Sequence, residues 1–324
     1  MSFTHRVFYK LTYSFRKVIV IMIRVSVFRR KSIKLASFGE IIWDVFGTQR
    51  KIGGAPLNIA AHAALFGFES YLISAVGDDE LGKEALGIIS DLGVKSDFIC
   101  VKASLPTGCC NVTLGDGGAP SYNIAEHVAY DEIDSPKSHP SSFDVICFGT
   151  LALRTSHNMN TLKSILAETS FNEVYADLNI RAPFYSAEAV AFCLKNATIV
   201  KISDEEMPTV AELMGIEHRS CEASVSKLSD LFPNVRFFVI TLGSDGSFCL
   251  ETSGNKMYHS EAVKVDVVST VGAGDSFGAA FLAAYIGAGD VKRALSVASH
   301  VSAYVVSSLE AIPDGSGQIF AENF

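Results

Sequence analysis

The chain has no CxxC pair, and none of its seven cysteines (Cys100, Cys109, Cys110, Cys147, Cys193, Cys221 and Cys249) has a histidine near it at zinc-ligand spacing. That argues against a zinc site, and the odd, scattered set argues against a disulfide framework. Thiols of this kind read as small buried hydrophobes in a reducing cytosol. Acids are missing from residues 1–34, which hold nine of the 27 Lys and Arg residues; the remainder sets 18 bases against all 35 acids, a net of -17. An acidic body argues against a nucleic-acid surface. The basic opening is also short of apolar sequence, since its longest run, Val18 to Ile23, is broken at Arg24, whereas a membrane-spanning helix needs ~20 such residues. A signal peptide would need a longer apolar stretch and a small-residue cleavage site. We read residues 1–33 as a basic, loosely attached extension and residues 34–324 as the functional domain, located in the cytoplasm and without a membrane partner. No internal repeat or low-complexity tract interrupts that domain, and 48% hydrophobic content permits a large buried core.

What is present is an alternation of strand and helix. "KLASFGEII" reads as a buried strand, and "PLNIAAHAALFG" as a helix with Pro56 in its first turn and Gly67 just past its end. "ESYLISAVG" is a strand and "DELGKEALGIISDLG" a helix stopped by Gly93. "FDVICFGT", "EVYADLNI", "ATIVKIS" and "VRFFVITLG" are short, β-rich and apolar on both faces, the pattern of central parallel strands covered by helices on each side. The stretch from 104 to 131 breaks this rhythm: two alternating runs around "GDGGAP" predict a β-hairpin outside the main sheet. With residues 43–54 it could form a small sheet that covers a site.

Common phosphate-binding fingerprints are absent too. At "STVGAGDSFGAAF" the GxGxxG pattern fails because Phe277 stands at its third glycine. "GDDELGKE" has Walker-like spacing, but Glu84 replaces the magnesium-binding hydroxyl and Asp78, Asp79 and Glu80 would repel phosphate, so a helix start accounts for it better. The 269–281 stretch has a different logic. Gly272, Ala273 and Gly274 let backbone N–H groups approach an anion, and the following helix adds its positive end. Asp275 would be useful there as an acceptor of a hydroxyl proton. An Asp capping the helix after a tight turn would explain it equally well. Upstream, Asp44, Gly54 and Asn58 could grip adjacent sugar hydroxyls, because a carboxylate accepts and an amide both donates and accepts. Taken singly, Asp44 also reads as a loop acid and Asn58 as a helix cap.

Together, "GGAPLNIAAHAALFG", "SAVGDDELG" and "TVGAGDSFGAAF" resemble the two signatures of the ribokinase-like, or PfkB, family of carbohydrate kinases, in the right order and separation. "GEIIWDVF", "YADLNIRAPFY" and "VKISDEEM" are similar to its fructokinase branch. The resemblance implies an α/β, ribokinase-like fold: a Rossmann-like, mostly parallel central sheet flanked by helices, with a small β-sheet lid. It implies ATP and Mg2+ as cofactors and a small-molecule sugar as substrate. By that resemblance Asp275 is the general base, Gly272, Ala273 and Gly274 form the anion hole, and Arg181 meets the substrate or the transferring phosphate. Asp44, Gly54 and Asn58 hold the sugar. Ser203, Glu206, Thr241, Gly243 and Gly246 flank the nucleotide, Glu206 reaching the magnesium through water. The implied reaction is transfer to the 6-hydroxyl of fructose; ribose, 2-keto-3-deoxygluconate, or binding without catalysis are the alternatives. A homodimer through the lids also fits the family. Ser269, where the family has Asp, and Glu310, where it commonly has Gly, argue against a monovalent-cation site beside the anion hole.

Overall fold

The computed structural model describes residues 33–114, 120–137 and 141–324; the expected basic extension falls on residues 1–32 and the expected hairpin turn on 115–119, and these, with 138–140, lie outside the described residues. The main sheet uses β1 (Lys34–Phe38), β4 (Glu69–Gly77), β5 (Lys95–Lys102), β8 (Ser142–Phe148), β9 (Ser170–Asp177), β10 (Ile199–Ser203), β11 (Phe237–Thr241), β12 (Ser247–Glu251) and β13 (Lys256–Ser260). Their spatial order is β13-β12-β11-β10-β9-β8-β1-β4-β5. All neighbours from β5 to β11 run parallel, and only β12 and β13 are antiparallel.

Side-chain alternation explains why these apolar runs became central strands. Along β8, Val145 and Cys147 point into one core, whereas Ile146 and Phe148 point into the other. Phe237 and Val239 of β11 are divided from Phe238 and Ile240 in the same way. A strand with two apolar faces must be covered on both, which a parallel sheet between helix layers provides. One layer comprises α3 (Ser156–Glu168), α4 (Ala187–Asn196), α5 (Met207–Leu213) and α6 (Cys221–Leu231), with Leu162, Val190, Val210 and Leu228 in its core. The opposite layer comprises α1 (Ala55–Leu65), α7 (Ala273–Ala288), α8 (Val291–Val306) and α9 (Ser316–Asn323), contributing Ile59, Phe281, Leu295 and Phe320. The helix α2 (Glu80–Asp91) packs Ala85 and Ile89 against Trp43 and Val76. Its N-cap is Asp79, which accepts from the amides of Gly82 at 2.7 Å and Thr107 at 2.8 Å, so "GDDELGKE" is a helix start.

A second sheet has the order β3-β2-β6-β7, built from β2 (Ile42–Phe46), β3 (Gln49–Gly53), β6 (Cys109–Leu114) and β7 (Pro120–Ile124). β6 and β7 pair antiparallel as the hairpin pattern predicts, and β2 joins them in parallel to β6. This sheet leaves the main one at the carboxyl end of β1, through Gly39 and Glu40. On one side of β1 lie β4 and β5, and on the other β8 to β11, so the chain reverses its winding there. Crevices beyond the carboxyl ends of strands at such a switch point are where ligands bind in open α/β sheets. No helix among the described residues is long and apolar enough to cross a membrane, and all seven cysteines are free thiols.

Candidate active site

Asp275 stands in the first turn of α7, behind a turn that only glycine could make. Gly272 is the N-cap, with φ at +79°, and a Cβ on it would lie 2.8 Å from Ala311. Asp275 is therefore not a cap: its Oδ2 accepts from Asn58 Nδ2 at 2.7 Å. The Ala273 amide is taken by the Thr270 carbonyl at 3.2 Å. Among the described residues, the amides of Gly272, Gly274 and Asp275 meet no acceptor. The open set thus differs from the expected one by exchanging Ala273 for Asp275. Open amides at a helix N-terminus favour an anion.

Asn58 lies inside α1, its amide donating to the Gly54 carbonyl at 2.9 Å, so it is not a cap either. The side chain is buried, and Oδ1 has no partner among the described residues. Gly54 is the N-cap of α1 at φ +114°; a Cβ there would come within 2.4 Å of the Glu40 carbonyl. Asp44, on β2, is half-buried, and its Oδ2 lies against Gly53. Burial pushes its carboxyl to about 6, against the pull of Arg181. Arg181 follows β9 on an exposed turn and makes no ion pair among the described residues. Its charge nevertheless acts on Asp44, Glu40 and Asp275, so the expected sugar residues and the expected base share one electrostatic neighbourhood. Burial raises the Asp275 carboxyl above the ordinary range, opposed by the Asn58 hydrogen bond, Lys201 and Arg181.

Three charged residues outside the sequence-based set complete this site. Lys201 of β10, 5% exposed, donates to both carboxylate oxygens of Asp177 at 3.0 Å. Its ammonium sits beneath the glycine turn, where a Cβ on Gly274 would be 3.2 Å from Nζ. Burial pushes Asp177 to about 6 while Lys201 pulls it back. Glu40, 3% exposed, accepts from the Ala55 amide at 3.2 Å and is pushed by burial to about 7, with Asp275 adding to the rise. Glu40, Asp177, Ser37, Thr150 and Asn179 line a crevice at the switch point. The available signal was a charge inside a run otherwise read as buried, as in "FGEII", "VYADLNI" and "ATIVKIS", because buried charges need partners.

The expected nucleotide residues lie farther along the sheet edge. Ser203 ends β10 opposite Thr241, which ends β11. Gly243 and Gly246 flank the turn from β11 to β12, where a Cβ on Gly246 would strike the Ser260 carbonyl at 2.2 Å. Glu206 accepts from the amides of Ile180 at 2.6 Å and Ser203 at 2.8 Å, tying the β9 and β10 loops together. No cluster of three or more metal-ligating side chains exists among the described residues. Around the departures, Glu310 pairs with Lys51 at 3.0 Å, and Lys51 also donates to the Leu309 carbonyl at 3.1 Å.

The family model for pfkB family carbohydrate kinase matches residues 18–316. A fructokinase of Solanum tuberosum is 28% identical over 273 residues, 76% of this chain and 79% of its own length. Aminoimidazole riboside kinase of Salmonella typhimurium is also 28% identical, over 234 residues, 69% of this chain and 70% of its own. Among solved structures, fructokinase from Vibrio cholerae O395 in its fructose, ADP and calcium ion bound form superimposes with a TM-score of 0.73 at 20% identity, covering 86% of this chain and 94% of that one. At that identity the likeness speaks for the fold.

Proposed function

The chain belongs to the pfkB family of carbohydrate kinases, a phosphotransferase with an alcohol acceptor, and from that premise we propose that it is an ATP-dependent fructokinase acting on the 6-hydroxyl of fructose. The observation that carries the chemistry is the Asp275 carboxylate, oriented by Asn58 at 2.7 Å next to amides with no acceptor among the described residues. Asp44 accepts from sugar hydroxyls, Asn58 supports the sugar side by holding Asp275, and the Gly53–Gly54 backbone lets the sugar approach closely. Asp275 takes the proton of the 6-hydroxyl as that oxygen attacks the γ-phosphorus; the bond to the bridging oxygen breaks and ADP leaves. A carboxyl raised by burial suits this task, since the effective base has a pKa brought toward the working pH.

Charge on the transferring group is met from several sides. The amides of Gly272, Gly274 and Asp275 face it, the Lys201 ammonium supports the turn from below, and Arg181 is available from the β9 loop. Magnesium bound to the phosphates would neutralise part of their charge, with Glu206 holding its water shell. The nucleotide lies along the ends of β10 and β11, past Ser203, Thr241, Gly243 and Gly246. The small sheet acts as the lid that excludes water. We place the protein in the cytoplasm, in keeping with its free thiols, and read the lid as the surface of a homodimer.

Specificity is the finer part of the proposal. Relatives acting on fructose and on aminoimidazole riboside are equally similar, so another small sugar or riboside is the second reading. The deciding assay is ADP release with MgATP and a panel of fructose, ribose, 2-keto-3-deoxygluconate and aminoimidazole riboside. Fructose is expected to give the highest kcat/KM, and Asp275→Asn to lower turnover roughly 10²-fold or more with the fold intact. Preference for another member replaces the substrate; an Asp275→Asn protein with unchanged turnover removes the base.

A further inference from the structure

α1 carries two buried polar side chains one helical turn apart, and both reach the glycine turn. Asn58 holds Asp275 on one side. His62, at i+4 on the same face, is 0% exposed and lies 2.9 Å from the Ala311 carbonyl through Nε2. Burial lowers its pKa to about 4, so the ring is neutral at working pH. A carbonyl only accepts, so the proton is on Nε2, and Nδ1 has no partner among the described residues. The rest of the buried surface of α1 is small or apolar: Pro56, Leu57, Ile59, Ala60, Ala61 and Ala63. A histidine in that setting is there for its hydrogen bond.

Ala311 belongs to the segment between α8 and α9, and it forms the wall of the turn. A Cβ on Gly272 would meet the Ala311 Cβ and carbonyl oxygen, each at 2.8 Å. That carbonyl oxygen, with its partial negative charge, therefore stands beside Gly272, whose amide meets no acceptor among the described residues. Unheld, it could turn onto one of them or repel an incoming phosphate. We propose that His62 is a positioning residue for phosphoryl transfer: by holding the Ala311 carbonyl toward α1, it keeps the Gly272 turn open to the transferring group. The proposal rests on the reading of residues 272–275 as the phosphoryl site.

The test compares His62→Gln with His62→Asn in the full chain. Glutamine places an amide N–H where Nε2 was, whereas asparagine reaches only as far as Nδ1 and cannot bridge to Ala311. Two readouts are taken: kcat and sugar KM with MgATP, and the affinity for MgADP with and without aluminium fluoride, which mimics the transferring phosphoryl group. His62→Asn is expected to lose roughly tenfold to a hundredfold in kcat with sugar KM little changed. It should lose the fluoride-dependent tightening of MgADP by a similar factor while binding MgADP alone like the parent. His62→Gln should recover most of both. Equal behaviour of the two variants, at equal folded content by circular dichroism, overturns the role of His62 and leaves the kinase reading standing. A parent with no fluoride-dependent tightening overturns the phosphoryl-site reading and this proposal with it.

Discussion

Replacing Asn58 with leucine, a side chain of similar size and branching, removes the 2.7 Å hydrogen bond to Asp275. It also removes the buried Oδ1 that has no partner among the described residues, which offsets part of the cost of leaving Asp275 without its donor. A hydrogen bond to a charged group contributes about 1.5–3 kcal/mol. At about 1.4 kcal/mol per tenfold, the Asp275 carboxylate then binds a proton roughly tenfold to a hundredfold more tightly. The direction follows from the forces on this group: burial already raises it, and Asn58 is the first of the influences opposing that rise. Only the ionised carboxylate can accept the hydroxyl proton, so the acid limb of kcat/KM moves to higher pH. Below the limb kcat/KM falls by that same factor, and on the alkaline plateau it falls less. The measurement is ADP release across pH 5–9 with the preferred sugar, for the parent and Asn58→Leu. Loss of a sugar contact alone would lower the profile by one factor at every pH. An acid limb that stays in place, or moves to lower pH, refutes the assignment of Asp275 as a base tuned by Asn58.

Two further outcomes are expected. Glu40 is pushed by burial to about 7, above its unfolded value, so it destabilises the fold increasingly as pH rises from the ordinary carboxylate range through 7. Glu40→Gln should therefore raise the melting temperature at pH 8, by up to about 3 kcal/mol of stability, and change little at pH 4; a lower melting temperature at pH 8 would show the ionised form to be paired. Exchanging choline for potassium should change kcat little, since Lys51 takes the Leu309 carbonyl and Glu310, and His62 takes the Ala311 carbonyl. A several-fold increase in rate would contradict that account.

The order and kind of the main elements were legible because period and punctuation are local properties. Apolar runs of strand length, Pro56 at a helix start and Gly67 and Gly93 past helix ends each act within a few residues. The glycine turn was legible for the same reason: the φ of +79° at Gly272 belongs to one residue. So was the chemistry of "GAGD", in which small residues and one acid occupy adjacent positions. Resemblance extended this to the family.

What neighbours across the sequence do to one another was decided only by the tertiary structure. Asn58 and Asp275 are 217 residues apart and read separately as caps; folding makes them donor and acceptor. Lys201 and Asp177 lie on adjacent strands, and their pairing under Gly274 depends on register and on the approach of α7. Which amides stay open was also decided there, because the Ala273 amide is satisfied by Thr270 while the Asp275 amide meets no acceptor among the described residues. The sequence by itself determined an α/β scaffold with an acid behind a glycine turn, since those follow from local conformational preference and composition, and its resemblance to a family added the kinase reading. Only the tertiary structure decided the orientation of that acid and the upward pull on its proton affinity, because burial, charge and hydrogen-bond partners act through space.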